Sequence, residues 1–127
     1  MKIVIIEDEI RISKRIERMT KEFFLNTLDQ LHAFQSLAEG LDYVNSNPID
    51  LLLLDLNLNG ENGFDVLKQT ASLSFHTIII SANKDQALKA FEFGVLDFVP
   101  KPFNKVRLEL AFNRIVKKEE TWCLIKW

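Results

Sequence analysis

The stretch Asp50-Leu51-Leu52-Leu53-Leu54-Asp55 sets four successive leucines between two aspartates, with no polar residue alternating among them. A strand wetted on one face alternates apolar and polar side chains, whereas one covered on both faces by helices reads as a continuous apolar run. Short aliphatic runs of the same kind recur at Lys2–Ile6, 77–80 and 95–99, each bounded by polar residues or turn formers. A weaker run at 27–33 alternates and fits a strand nearer the sheet edge. Helical patterns lie between these runs. Ile12, Ile16, Met19 and Phe23 fall at i, i+4, i+7 and i+11, one apolar stripe, while Arg11, Lys14, Arg15 and Arg18 take the wet face. Leu37, Leu41 and Val44 form a second stripe, ended by Asn45-Ser46-Asn47-Pro48, where the proline disfavours helix in the residue before it. Further helices are expected at 63–70, 84–93 and 104–118. Five strands alternating with five helices call for an open parallel sheet covered on both faces, a doubly wound α/β fold.

The composition agrees with one such domain. The chain has 127 residues, 47% hydrophobic and 27% charged, enough to bury a core without disulfide or metal staples. The longest apolar runs, such as Leu51–Leu54, are far too short to cross a bilayer or serve as a signal-peptide core, so a cytoplasmic protein with no membrane association is expected. Sixteen basic against eighteen acidic side chains leave a net charge of -2, which argues against non-specific nucleic-acid binding by this domain. The lone cysteine, Cys123, and the two histidines, His32 and His76, offer no soft-metal cluster; the histidines are expected to be structural or surface residues and the cysteine inert.

In doubly wound sheets ligands collect outside the carboxyl ends of the strands. The first strand runs into Glu7 and Asp8, the third into Asp55, the fourth into Ser81 and the fifth into Lys101. Three carboxylates gathered on one rim repel by roughly 1 to 4 kcal/mol per pair, depending on the local dielectric, so a cation or protons must relieve them. Hard oxygen donors without imidazole or thiolate select Mg²⁺, with Mn²⁺ as a substitute. Lys101 adds a positive charge opposite the acids and Ser81 a hydroxyl donor, both suited to phosphoryl oxygens.

Glu7-Asp8, Asp55, Ser81 and Lys101-Pro102, with Phe98 three residues before the lysine, resemble the receiver domain of bacterial two-component response regulators over roughly residues 1–118. The segment from Ala90 to Phe103 looks most like receivers linked to LytTR-type DNA-binding outputs. The resemblance implies a flavodoxin-like strand order, 2-1-3-4-5. It also implies that Asp55 takes a phosphoryl group from the phosphohistidine of a sensor histidine kinase. Asp8 and Asp55 would ligate Mg²⁺ directly, Glu7 through water, and Asn57 through its backbone carbonyl. Ser81 and Lys101 would then hold the phosphoryl oxygens, and Phe98 would turn inward. The changed face would be helix 4, strand 5 and helix 5, also a possible homodimer surface. The Lys101-Pro102 bond matches one that is cis in the family, at Pro102. Beyond any self-phosphorylation and self-dephosphorylation, no enzymatic turnover is implied, and DNA would be reached only through an output domain outside this chain.

Asn59 stands where the family usually carries proline, and Asn57 and Asn83 occupy positions that tune the phosphoryl lifetime, leaving that lifetime unpredicted. Pro100 removes a ladder donor, which suits an edge strand or a strand terminus. Residues 119–127, ending Trp122-Cys123-Leu124-Ile125-Lys126-Trp127, form a C-terminal tail with three readings: the first strand of a truncated output domain, a strand pairing with a partner chain, or a segment docked on its own domain. Two other functions compete with the switch. A pseudo-receiver used only for docking or dimerisation is resisted by the complete set of acids, hydroxyl and lysine. A haloacid-dehalogenase-type phosphatase needs a second acid two residues after the nucleophile, where this chain has Asn57.

Overall fold

In the computed structural model, backbone is described for residues 1–58, 61–70 and 73–125, and side chains for 1–57, 63–70 and 73–117. Five strands, β1 (Lys2–Ile6), β2 (Gln30–Phe34), β3 (Leu51–Leu54), β4 (His76–Ser81) and β5 (Asp97–Pro100), form one sheet in the order β2-β1-β3-β4-β5. Every neighbouring pair in it is parallel. Five helices separate and follow the strands: α1 (Ile10–Phe23), α2 (Leu37–Ser46), α3 (Phe64–Gln69), α4 (Ala87–Glu92) and α5 (Lys105–Ile125).

The four leucines of β3 divide between two cores, as the two-residue period of a strand requires. Leu52 and Leu54 join Val4, Ile6 and Ile79 under α2, α3 and α4. Leu51 and Leu53 join Ile3, Ile5 and Ile78 under α1 and α5. All four are buried, which is why the run shows no alternation. The stripe expected on α1 packs as read, with Ile16 and Met19 buried in the second core. Glu9 is the exposed residue that precedes α1.

Several boundaries differ from expectation. The alternating run at 27–33 becomes a strand only from Gln30, because the Thr27 and Leu28 amides are taken by the Phe24 carbonyl in a turn closing α1. Residues 84–93 split into a 3₁₀ turn, Lys84–Gln86, and the short α4. A two-residue antiparallel hairpin, Asn57–Leu58 with Glu61–Asn62, precedes α3. Helix α5 continues through Ile125, so the stretch from Glu119 read as a separate tail is helical to that point and opens no strand there. Side chains from Trp122 to Ile125, and residues Lys126 and Trp127 entirely, lie outside the described residues, as does Asn59. Pro100 sits on β5, the edge strand, as its missing donor requires.

Candidate functional site at the carboxyl ends of the strands

Backbone ladders extended past β1 and β3 bring the acids together. The Glu7 amide donates to the Phe34 carbonyl at 3.0 Å and the Asp55 amide to the Ile6 carbonyl at 3.0 Å, which sets the two carboxylates side by side. Glu7, Asp8 and Asp55 each place a carboxylate oxygen within 4.8 Å of the others. The Lys101 amide donates to the Ser81 carbonyl at 2.9 Å, carrying the lysine to the same rim from the far side of the sheet. Its Nζ reaches Glu7 Oε1 at 2.5 Å and Asp55 Oδ2 at 3.3 Å. The Lys101-Pro102 peptide bond is cis.

Burial and neighbouring charge act on this cluster together. Glu7 is 1% exposed, and its Oε2 is buried without a hydrogen-bond partner among the described residues. Its pKa is raised to about 8, first by burial and then by the Asp55 carboxylate, against an opposing pull from Lys101. Burial lowers the Lys101 ammonium, but Glu7 and Asp55 outweigh it and the net shift is upward. The Asn57 amide donates to Asp55 Oδ1 at 3.1 Å, a turn that holds the aspartate's rotamer and puts the Asn57 backbone beside it. Behind this loop Gly63 leaves room for Leu56, whose Cα would lie 2.8 Å from an added Cβ.

Ser81 is fully buried at the end of β4, and its Oγ accepts the Asn83 amide at 3.2 Å. Phe98 is 6% exposed and faces the core beneath α2, α3 and α4. The structure therefore brings Glu7, Asp8, Asp55 and Lys101 into one cluster, with Ser81 at the neighbouring strand end and Phe98 inward on β5. One group escaped the sequence reading. Arg107 reaches Asp97 through Nη1 at 2.8 Å and Nη2 at 3.0 Å, and Arg114 Nε lies 3.3 Å from the same carboxylate. The only signal in the sequence was an aspartate inside an apolar strand, which demands a cation somewhere in the fold.

An all-oxygen donor set with one orphaned, buried carboxylate oxygen fits a hard divalent cation, and Lys101 leaves part of the negative charge unbalanced. A depression of about 360 Å³ at the opposite end of the sheet, lined by Val44, Asn47, Pro48, Ile49, Leu73 and Phe75 among others, carries no ionisable side chain among the described residues. Among the described residues no helix is long and apolar enough to cross a membrane.

The sequence profile of the response regulator receiver domain matches residues 3–113. The sensory transduction protein LytR of Staphylococcus epidermidis is 32% identical over 120 residues, covering 91% of this chain and 46% of that protein. LytT of Bacillus subtilis, also a sensory transduction protein, is 30% identical over 119 residues, covering 92% and 48%. The chain thus spans about half the length of these relatives. Among solved structures, the response regulatory domain of protein mrkE from Klebsiella pneumoniae superposes with a TM-score of 0.85 at 21% identity, over 95% of this chain and 99% of that one. A receiver domain protein from Clostridium thermocellum gives 0.78 at 25% identity, over 95% and 98%.

Proposed function

Because this chain belongs to the response regulator receiver family of two-component systems, with LytR and LytT as relatives, we propose that Asp55 is its phosphoryl acceptor and that the acid cluster holds Mg²⁺. The observation carrying this reading is the convergence of Glu7, Asp8, Asp55 and Lys101, with Glu7 Oε2 left unpartnered among the described residues. Asp8, Asp55 and the Asn57 carbonyl would hold the cation, with Glu7 acting through water. When bound, it neutralises the acids and the incoming phosphoryl oxygens.

The chain's own part is positioning and electrostatics. An Asp55 oxygen attacks the phosphorus of a kinase phosphohistidine, the P–N bond breaks, and the imidazole leaves with the bond's electron pair and takes a proton. Asn57 N–H keeps Asp55 aimed. Lys101, already against Asp55 and Glu7, turns from the carboxylates to a new phosphoryl oxygen. Ser81 Oγ, which accepts the Asn83 amide in the resting protein, donates its O–H to another phosphoryl oxygen, drawing the loop after β4 inward. Phe98 has no hydroxyl, so its buried position depends on packing alone. The altered face is α4, β5 and α5, a surface for pairing with a second copy and for control of transcription through an output domain beyond this chain. The setting would be the cytoplasm, with a sensor histidine kinase as donor.

Acetyl phosphate with Mg²⁺ is expected to add one phosphoryl group to the wild type, seen by intact mass, and none to Asp55→Asn. Equal labelling of both proteins, or no Mg²⁺-dependent labelling at all, would overturn the assignment and leave a docking module.

A further inference from the structure

β5 is an edge strand, and at Phe98 its backbone finds partners in side chains. The Phe98 amide donates to Asp97 Oδ1 at 2.8 Å, and the Phe98 carbonyl accepts Arg107 Nη2 at 3.0 Å. The same guanidinium grips Asp97 with both arms, at 2.8 and 3.0 Å. Asp97 is 3% exposed, so this pairing replaces the water its carboxylate gives up. Arg107 itself is fixed in the first turns of α5, where its amide is capped by Asn104 Oδ1 at 2.8 Å. One side chain therefore joins three things: a buried carboxylate, the carbonyl of the aromatic residue that reports on the site, and the helix that follows Lys101.

We infer that Arg107 is a positioning residue of the switch: it pins the Phe98 backbone to α5, so that a change at Asp55 is read out as movement of the Phe98 ring and of α5 together. The inference rests on the phospho-acceptor reading above and deepens it. A planar fork satisfies a carboxylate and a carbonyl at once, which an ammonium held at a single point does not. With the strand's edge so tied, the Phe98 side chain can rotate while its backbone stays in register, and α5 cannot lag behind β5. Arg114, 3.3 Å from Asp97 and half exposed, is the surplus cation that would keep Asp97 neutralised if Arg107 were lost.

The test is beryllofluoride with Mg²⁺ added to the full 127-residue chain and followed by amide NMR. In the wild type, shifts are expected at Asp55 and Ser81 and also along α5 from Leu108 to Phe112. Arg107→Ala should respond at Asp55 and Ser81 with an unchanged midpoint, while the α5 shifts fall by roughly threefold or more, as loss of a coupling residue does. Arg107→Lys should recover thermal stability, because it restores the charge, but not the α5 response; this separates positioning from mere structural support. Should Arg107→Ala fail to fold, Arg107→Lys carries the comparison alone. A wild-type α5 response in Arg107→Ala, or full recovery of that response by Arg107→Lys, would overturn the inference. A wild type whose Asp55 and Ser81 amides stay still would instead overturn the phospho-acceptor reading on which it rests.

Discussion

At Glu7 a carboxyl is buried beside a second carboxylate, and only one of its oxygens is matched to Lys101. Its pKa in the folded state is about 8 against an ordinary 4.5. Between those values the folded chain keeps a proton that the unfolded chain has released, so the metal-free protein should lose stability as pH rises through that window. The slope should reach up to about 1.4 kcal/mol per pH unit. Lys101 does not offset this slope: its raised pKa contributes stability below the ordinary lysine value and loses it only above, outside the window. Urea midpoints in EDTA from pH 5 to 8 should therefore fall for the wild type and stay nearly flat for Glu7→Gln. Parallel slopes would show that Glu7 does not carry the effect. Mg²⁺ should flatten the wild-type slope as well, since it favours the ionised cluster. The positions of Glu7, Asp8, Asp55, Ser81 and Lys101 were legible in the sequence because each lies within two residues of the end of an apolar run, and strand ends on a parallel sheet share one rim. The partners of Asp97 were not legible: Arg107 lies ten residues further on, inside a helix whose rotational phase only the packed structure sets.

Among the elements, α2 approaches β1 so closely that Gly40 has no room for a side chain. An added Cβ would stand 2.4 Å from Ile6 Cδ1 and 2.6 Å from its Cγ1. Alanine would gain about 1 kcal/mol of helix propensity. Overpacking against a fully buried Ile6 costs about 1–3 kcal/mol. The second effect should win, because Cγ1 is not the free tip of the side chain and Ile6 precedes Glu7 directly. Gly40→Ala should thus lower the thermal midpoint while the helix content by circular dichroism holds; a raised midpoint would mean that Ile6 has a second rotamer to move into. Element types were readable wherever one period dominated, as in the Ile16 and Met19 stripe or the four leucines of β3. Their ends were less so. The 3₁₀ turn at Lys84–Gln86 and the closing turn after α1 are set by backbone amides choosing between carbonyls, at Asn83 and at Phe24, and side-chain periodicity does not record that choice. The extra turns of α5 past residue 118 follow from helix propagation through a stretch without glycine or proline, a signal weaker than the apolar character that suggested a strand.

For the whole molecule, a divalent cation held by the acid cluster would couple stability to its own concentration. If Mg²⁺ binds the folded chain alone, a concentration one hundred times its dissociation constant should add about 2.7 kcal/mol, a rise of several degrees in the thermal midpoint. Lys101→Ala separates the two roles of that lysine. Removing Nζ takes the opposing cation from Glu7 and Asp55, so Glu7 holds its proton more tightly at neutral pH and the site loses a competitor for Mg²⁺. At pH 8.5, where the proton matters least, Lys101→Ala should show a Mg²⁺-induced midpoint shift at least as large as that of the wild type. The same variant should be deaf to beryllofluoride at Phe98, because nothing then pulls the end of β5, bound through the Lys101 amide to Ser81, toward a charge on Asp55. A loss of the Mg²⁺ shift would place Lys101 in metal retention. A preserved Phe98 response would mean that Ser81 alone transmits the change, and that the long reach from Lys101 across the sheet to Glu7 serves only to balance charge in the resting protein.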